Sequence, residues 1–85
     1  MPVELTPAAA QQLHELPRIM RARVMMVLTR LDGWPRVSGA KPLRGPLAGH
    51  FRIRTGEYRV QFHPRGQTVV VERIGHRDGF YKDQS

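Results

Sequence analysis

The sequence predicts an α+β domain in which two helices pack on one face of a mostly antiparallel sheet. Three observations carry this. Apolar residues recur at helical spacing through Met20, Val24, Val27, Leu28 and Leu31. From residue 51 onward the hydrophobic period changes to two. Between these regions Gly33, Pro35, Gly39, Pro42, Gly45, Pro46 and Gly49 give residues 33–49 the composition of a loop.

The elements follow in order. Val3, Glu4 and Leu5 form a short extended start. Thr6-Pro7 reads as a helix N-cap followed by proline at the first helical position. Residues 8–16 are Ala- and Gln-rich, with Leu13 and Leu16 as apolar contacts, and predict a first helix. Pro17 breaks it and starts the second. Arg18, Arg21, Arg23 and Arg30 lie on or beside the face opposite the buried stripe, and Asp32-Gly33-Trp34-Pro35 ends the helix. Met20, Met25 and Met26 read as core and groove filling, and Met25-Met26 can also line a partner surface. Residues 51–55, 58–63 and 68–74 predict a three-stranded antiparallel meander.

Composition bounds the function classes. A chain of 85 residues is one small domain, here 1–85. It has no cysteine, which excludes disulfides and thiolate metal sites and points to a reducing, cytoplasmic setting. The N-terminus lacks the charged and apolar regions of a signal peptide, and no apolar run is long enough for a membrane span. The net charge is +7, and 12 of the 14 cations are arginine. Arginine richness alone also follows from GC-rich coding. Its placement does not: residues 44–82 carry eight cations against the three acids Glu57, Glu72 and Asp78. A basic half-domain implies a nucleic acid or an acidic partner.

Hairpin arithmetic locates that charge. Gly56-Glu57 suits a two-residue loop with glycine at its first central position. The loop then pairs Thr55 with Tyr58, Arg54 with Arg59, Ile53 with Val60, Arg52 with Gln61 and Phe51 with Phe62. Cross-strand partners share a face. Phe51, Ile53, Tyr58, Val60 and Phe62 become the core face; Arg52, Arg54, Arg59, Gln61, His50 and His63 become the opposite one. Facing Arg54 and Arg59 destabilise a sheet unless an anion separates them, so removing Arg59 is expected to leave stability equal or higher. In the following turn, a three-residue loop pairs Arg59 with Val71 and turns Glu72 to the core. A four-residue loop instead sets Glu72 opposite Arg59. Both remain open. The four histidines lack metal-ligand spacing, and no Gly-rich phosphate loop, paired carboxylates or cofactor motif is evident.

The stretches Leu43-Arg44-Gly45 to Tyr58-Arg59-Val60 and Val69 to Gly75-His76-Arg77-Asp78-Gly79-Phe80-Tyr81 resemble the RelE/ParE superfamily of toxin–antitoxin toxins. The likeness covers nearly the whole chain. It implies a microbial-type RNase fold, a cognate acidic antitoxin and no cofactor. Its RelE branch cuts mRNA in the ribosomal A site, whereas its ParE branch inhibits DNA gyrase. The resemblance places the catalytic set on Arg52, Arg54, Arg59, Arg77 and Tyr81. Arg44, Lys41, Arg73 and Lys82 become candidate RNA contacts. Arginine stands at 52 and 54, where the best-known members have lysine.

Cleavage by internal 2′-OH attack needs a base, charge stabilisation at phosphorus and a proton for the leaving oxygen. Arginine suits only the second task. Proton transfer is left to Tyr81 or to a histidine, and His76, beside Arg77, is the candidate that titrates near neutrality. With no evident His/Glu acid–base pair, free RNA is expected to be cut poorly and ribosome-bound mRNA well. A gyrase inhibitor of ParE type and a general nucleic-acid-binding module are the alternatives.

Overall fold

The computed structural model describes residues 1–78. The elements are β1 (Val3–Leu5), α1 (Pro7–Glu15), α2 (Arg18–Leu31), β2 (Lys41–Pro42), a 3₁₀ turn (Gly45–Leu47), β3 (Phe51–Thr55), β4 (Tyr58–Arg65) and β5 (Thr68–His76). They form a sheet of order β1-β5-β4-β3-β2, antiparallel except where β1 runs parallel to β5. The expected meander is therefore present, widened by one strand at each edge. Lys41-Pro42, read as loop, pairs with Arg52 and Phe51. Two residues ending in proline carry no strand periodicity, and proline at an edge loses no ladder bond.

The helices bury their apolar stripes on one side of the sheet. Ala9, Leu16, Val24, Val27, Leu28 and Leu31 meet Ile53, Val60, Phe62, Val69, Val71 and Ile74. Trp34, just past α2, closes the core edgewise against Phe51 and Phe62, at ring-centroid distances of 4.7 and 5.1 Å. Met20 packs against this core, but Met25 and Met26 lie exposed on α2 with Ile19. Their place is the outer face of the helix, where periodicity puts them, rather than the core. No helix among the described residues is long and apolar enough to cross a membrane.

Capping groups tie helices to sheet. The Thr6 hydroxyl accepts from the Ala9 N–H (3.1 Å) and donates to the Glu72 carbonyl (3.0 Å). Gln12 Oε1 accepts from the Ile74 N–H (2.7 Å), satisfying β5 where β1 has ended. Arg21 donates to the carbonyls of His14 and Leu16 (3.0 Å each), covering the C-terminal end of α1.

Candidate functional site

The face of the sheet opposite the helices carries the candidate site, and the β3–β4 hairpin sets it. Gly56 has φ +59°, the left-handed value required at the first position of its two-residue turn. The observed register pairs Phe51 with Phe62, Arg52 with Gln61, Ile53 with Val60, Arg54 with Arg59 and Thr55 with Tyr58, as the hairpin arithmetic requires. Lys41 opposite Arg52 joins the same face. Arg54 is exposed, while Arg52 is half-buried. Arg59 is only 7% exposed. That depth corrects the expectation that Arg59 is a surface charge removable without harm to folding.

The β4–β5 pairing follows neither loop considered from sequence. The turn is Gly66-Gln67, with Arg65 opposite Thr68, and a β-bulge lies farther along: Phe62 pairs with Val71 but Gln61 pairs with Arg73. Glu72 is the extra residue. A bulge sets two residues against one on the partner strand, so Glu72 and Arg73 both oppose Gln61 on the arginine face. Glu72 therefore turns away from the core, and Arg59 faces Gly75 rather than Val71 or Glu72.

The bulge creates a cluster that the sequence did not disclose. Glu72 Oε1 lies 2.5 Å from Nδ1 of His50 and 2.5 Å from Nδ1 of His63. The two imidazoles are 4.9 Å apart, tilted against each other. Gln61 Nε2 donates to Glu72 Oε2 (3.1 Å). The carboxyl is drawn upward by burial, but the hydrogen bonds from His63, His50 and Gln61, with the charge of His50, outweigh this and hold it below the usual glutamate value. The donor atoms of His50, His63 and Glu72 also fall within 4.8 Å of one another, so folding assembles a two-histidine, one-carboxylate set that linear spacing does not reveal.

A lowered carboxyl pKa carries a stability consequence. Its contribution is full above the unfolded glutamate value of about 4.3 and is lost as pH falls toward the depressed folded value. Wild-type stability is thus expected to fall more steeply than that of Glu72→Gln between roughly pH 5 and pH 3. Chemical denaturation across that range checks it; parallel curves contradict it.

The remaining candidates are dispersed. Arg73 lies on the arginine face opposite Gln61. Arg77 is exposed beside the β3–β4 turn, its N–H donating to the Glu57 carbonyl (2.8 Å). Arg44 is exposed at the start of the 3₁₀ turn. His76 pairs with Tyr58, on the helix side of the sheet. Its Nε2 meets Glu57 (3.1 Å) and its Nδ1 accepts from the Asp78 N–H (3.3 Å), so both ring nitrogens are engaged. Tyr81 and Lys82 lie outside the described residues.

Comparisons with known proteins place the chain. No family model matches it. The toxin RelG of Mycobacterium tuberculosis is 40% identical over 83 residues, covering 94% of each chain. The toxin–antitoxin complex RelBE2 from the same organism contains a chain superposing with TM-score 0.77 at 37% identity, over 89% of this chain and 96% of that one. A chain of the RelB–RelE antitoxin–toxin complex from Methanococcus jannaschii superposes with TM-score 0.80 at 20% identity, over 96% and 99%, a likeness of fold alone.

Proposed function

This chain belongs to the RelE family of type II toxin–antitoxin toxins, and we propose that it cuts mRNA on the ribosome by internal 2′-OH attack. The observation that carries this is the concentration of Lys41, Arg52, Arg54, Arg59 and Arg73 on one sheet face, where Glu72 is the acid present among the described residues. Like charges held together in this way favour a polyanion.

In this reading Arg52, Arg54, Arg59 and Arg77 neutralise the charge that develops at phosphorus. Their guanidinium forks are permanently protonated and suit phosphate oxygens. Lys41, Arg44, Arg73 and Lys82 hold the flanking backbone, and proton transfer needs a side chain other than arginine. Arginine does not serve as a general base, so alignment of the 2′-OH with the phosphate falls to the ribosome in this reading. The partner is an acidic antitoxin, in keeping with the complexes formed by the Mycobacterium and Methanococcus toxins. Exposed Ile19, Met25 and Met26 offer it apolar anchors beside Arg23 and Arg30.

The test compares purified toxin on mRNA with programmed ribosomes and on the same RNA alone. Cleavage on ribosomes with very slow cutting of free RNA is the expected result. Rapid cutting of free RNA identifies a self-sufficient nuclease instead. Intact mRNA together with inhibited gyrase supercoiling revives the gyrase reading, which relatives named as Rel toxins do not favour.

A further inference from the structure

We propose that His50 and His63, oriented by Glu72, are the proton-transfer groups of the arginine face, an assignment that rests on the endoribonuclease reading. A carboxylate oxygen only accepts hydrogen bonds. The two 2.5 Å contacts to Glu72 Oε1 therefore require each imidazole to carry its proton on Nδ1. A neutral imidazole in that tautomer presents its lone pair at Nε2. Among the described residues no hydrogen bond engages Nε2 of either ring, in contrast to His76. A carboxylate fixing Nδ1–H so that Nε2 serves as base is the relation on which histidine general-base catalysis depends.

Placement favours the same use. Side-chain exposure is 28% for His50 and 27% for His63 against 19% for Glu72, so the rings are reachable while their anchor is sheltered. Alternate residues along a strand lie about 7 Å apart, which puts the histidine row next to the Arg52–Gln61 row. A phosphate gripped there brings its ribose to the imidazoles. Lys41 from β2, Arg52 and Arg54 from β3, Arg59 and Gln61 from β4, and Glu72 and Arg73 from β5 share this face. Among the described residues the cations of this face surround one carboxylate, a setting that disfavours a divalent metal and favours proton transfer.

The step balances. Nε2 of one neutral imidazole takes the proton of the 2′-OH as O2′ bonds to phosphorus. The P–O5′ bond breaks, and the imidazolium returns a proton to the 5′-oxygen. The products are a 2′,3′-cyclic phosphate and a 5′-hydroxyl. Glu72 offsets the transient imidazolium charge. The Thr6 hydroxyl, donating to the Glu72 carbonyl, helps hold the bulge that aims the carboxylate.

Single-turnover cleavage on programmed ribosomes, measured across pH, tests this. The double variant His50→Ala/His63→Ala is expected to cleave about 10²–10⁴-fold more slowly, to bind ribosomes as before, and to recover activity when imidazole is added. In Glu72→Gln, loss of the negative charge should move the acid limb of the profile to lower pH. A double variant that cuts at the wild-type rate overturns the assignment. So does a slow variant whose pH profile is unchanged and which imidazole does not rescue, since that marks a structural role. Loss of wild-type cleavage in EDTA on magnesium-replete ribosomes transfers the same three groups to a metal and also overturns it. Failure of the wild type to cut ribosome-bound mRNA defeats the endoribonuclease reading itself, a different result from wild-type cleavage that the double variant retains.

Discussion

Replacing Arg59 by alanine is expected to slow mRNA cleavage by about 10²–10³-fold, the loss typical of one preorganised donor to a developing anion. Arg59 combines a central place on the face with near-complete burial, at 7% exposure. Burial means that its guanidinium is already fixed before RNA arrives, so little reorganisation accompanies charge development. It also means that the variant loses stability as well as rate. Arg59→Lys separates the two effects: it restores charge without the planar fork, and should regain stability more fully than activity. Arg65→Ala, at an exposed position beside the β4–β5 turn, should match wild type in both. Kinetics and urea denaturation on the same preparations decide the matter. A fully active Arg59→Ala removes the arginine face from the chemistry.

Phe62→Ala is expected to be the most damaging core substitution, at about 3–5 kcal/mol. Phe62 is fully buried, packs edgewise on Trp34 and stacks on Phe51 at 5.8 Å. Small domains have only about 5–15 kcal/mol in total, so the variant should sit near its unfolding transition at ambient temperature. Because the opposite face of β4 carries Arg59 and Gln61, its loss should also abolish cleavage. Urea denaturation followed by Trp34 fluorescence measures it. A cost below about 1 kcal/mol would show that the aromatic cluster does not support the sheet.

The legible parts of the fold were those governed by local rules. Thr6-Pro7 starts α1, Pro17 separates the helices, and the apolar stripe faces the core. Gly56 forces one turn type, which fixes the β3–β4 register and so the makeup of the arginine face. The β4–β5 register was not legible, because a bulge depends on how two strands accommodate twist and leaves no mark in periodicity. Glu72 therefore had no assignable face. Hairpin register sets His50 and His63 side by side, as their 4.9 Å ring separation shows, but nothing in the spacing joins them to Glu72. The one available signal was a lone acid following three valines. His76, attractive beside Arg77 in sequence, belongs to the other side of the sheet because it ends β5 opposite Tyr58 on the core face.

The most direct measurement of the central claim, internal 2′-OH attack on ribosome-bound mRNA, uses a message with one 2′-deoxynucleotide at the cleavage position in the A site. Cleavage of the all-ribose message is expected to leave a 2′,3′-cyclic phosphate and a 5′-hydroxyl, and the deoxy message should stay intact at that bond. Cutting the deoxy message at an undiminished rate, or 5′-phosphate ends from the all-ribose message, would contradict the account.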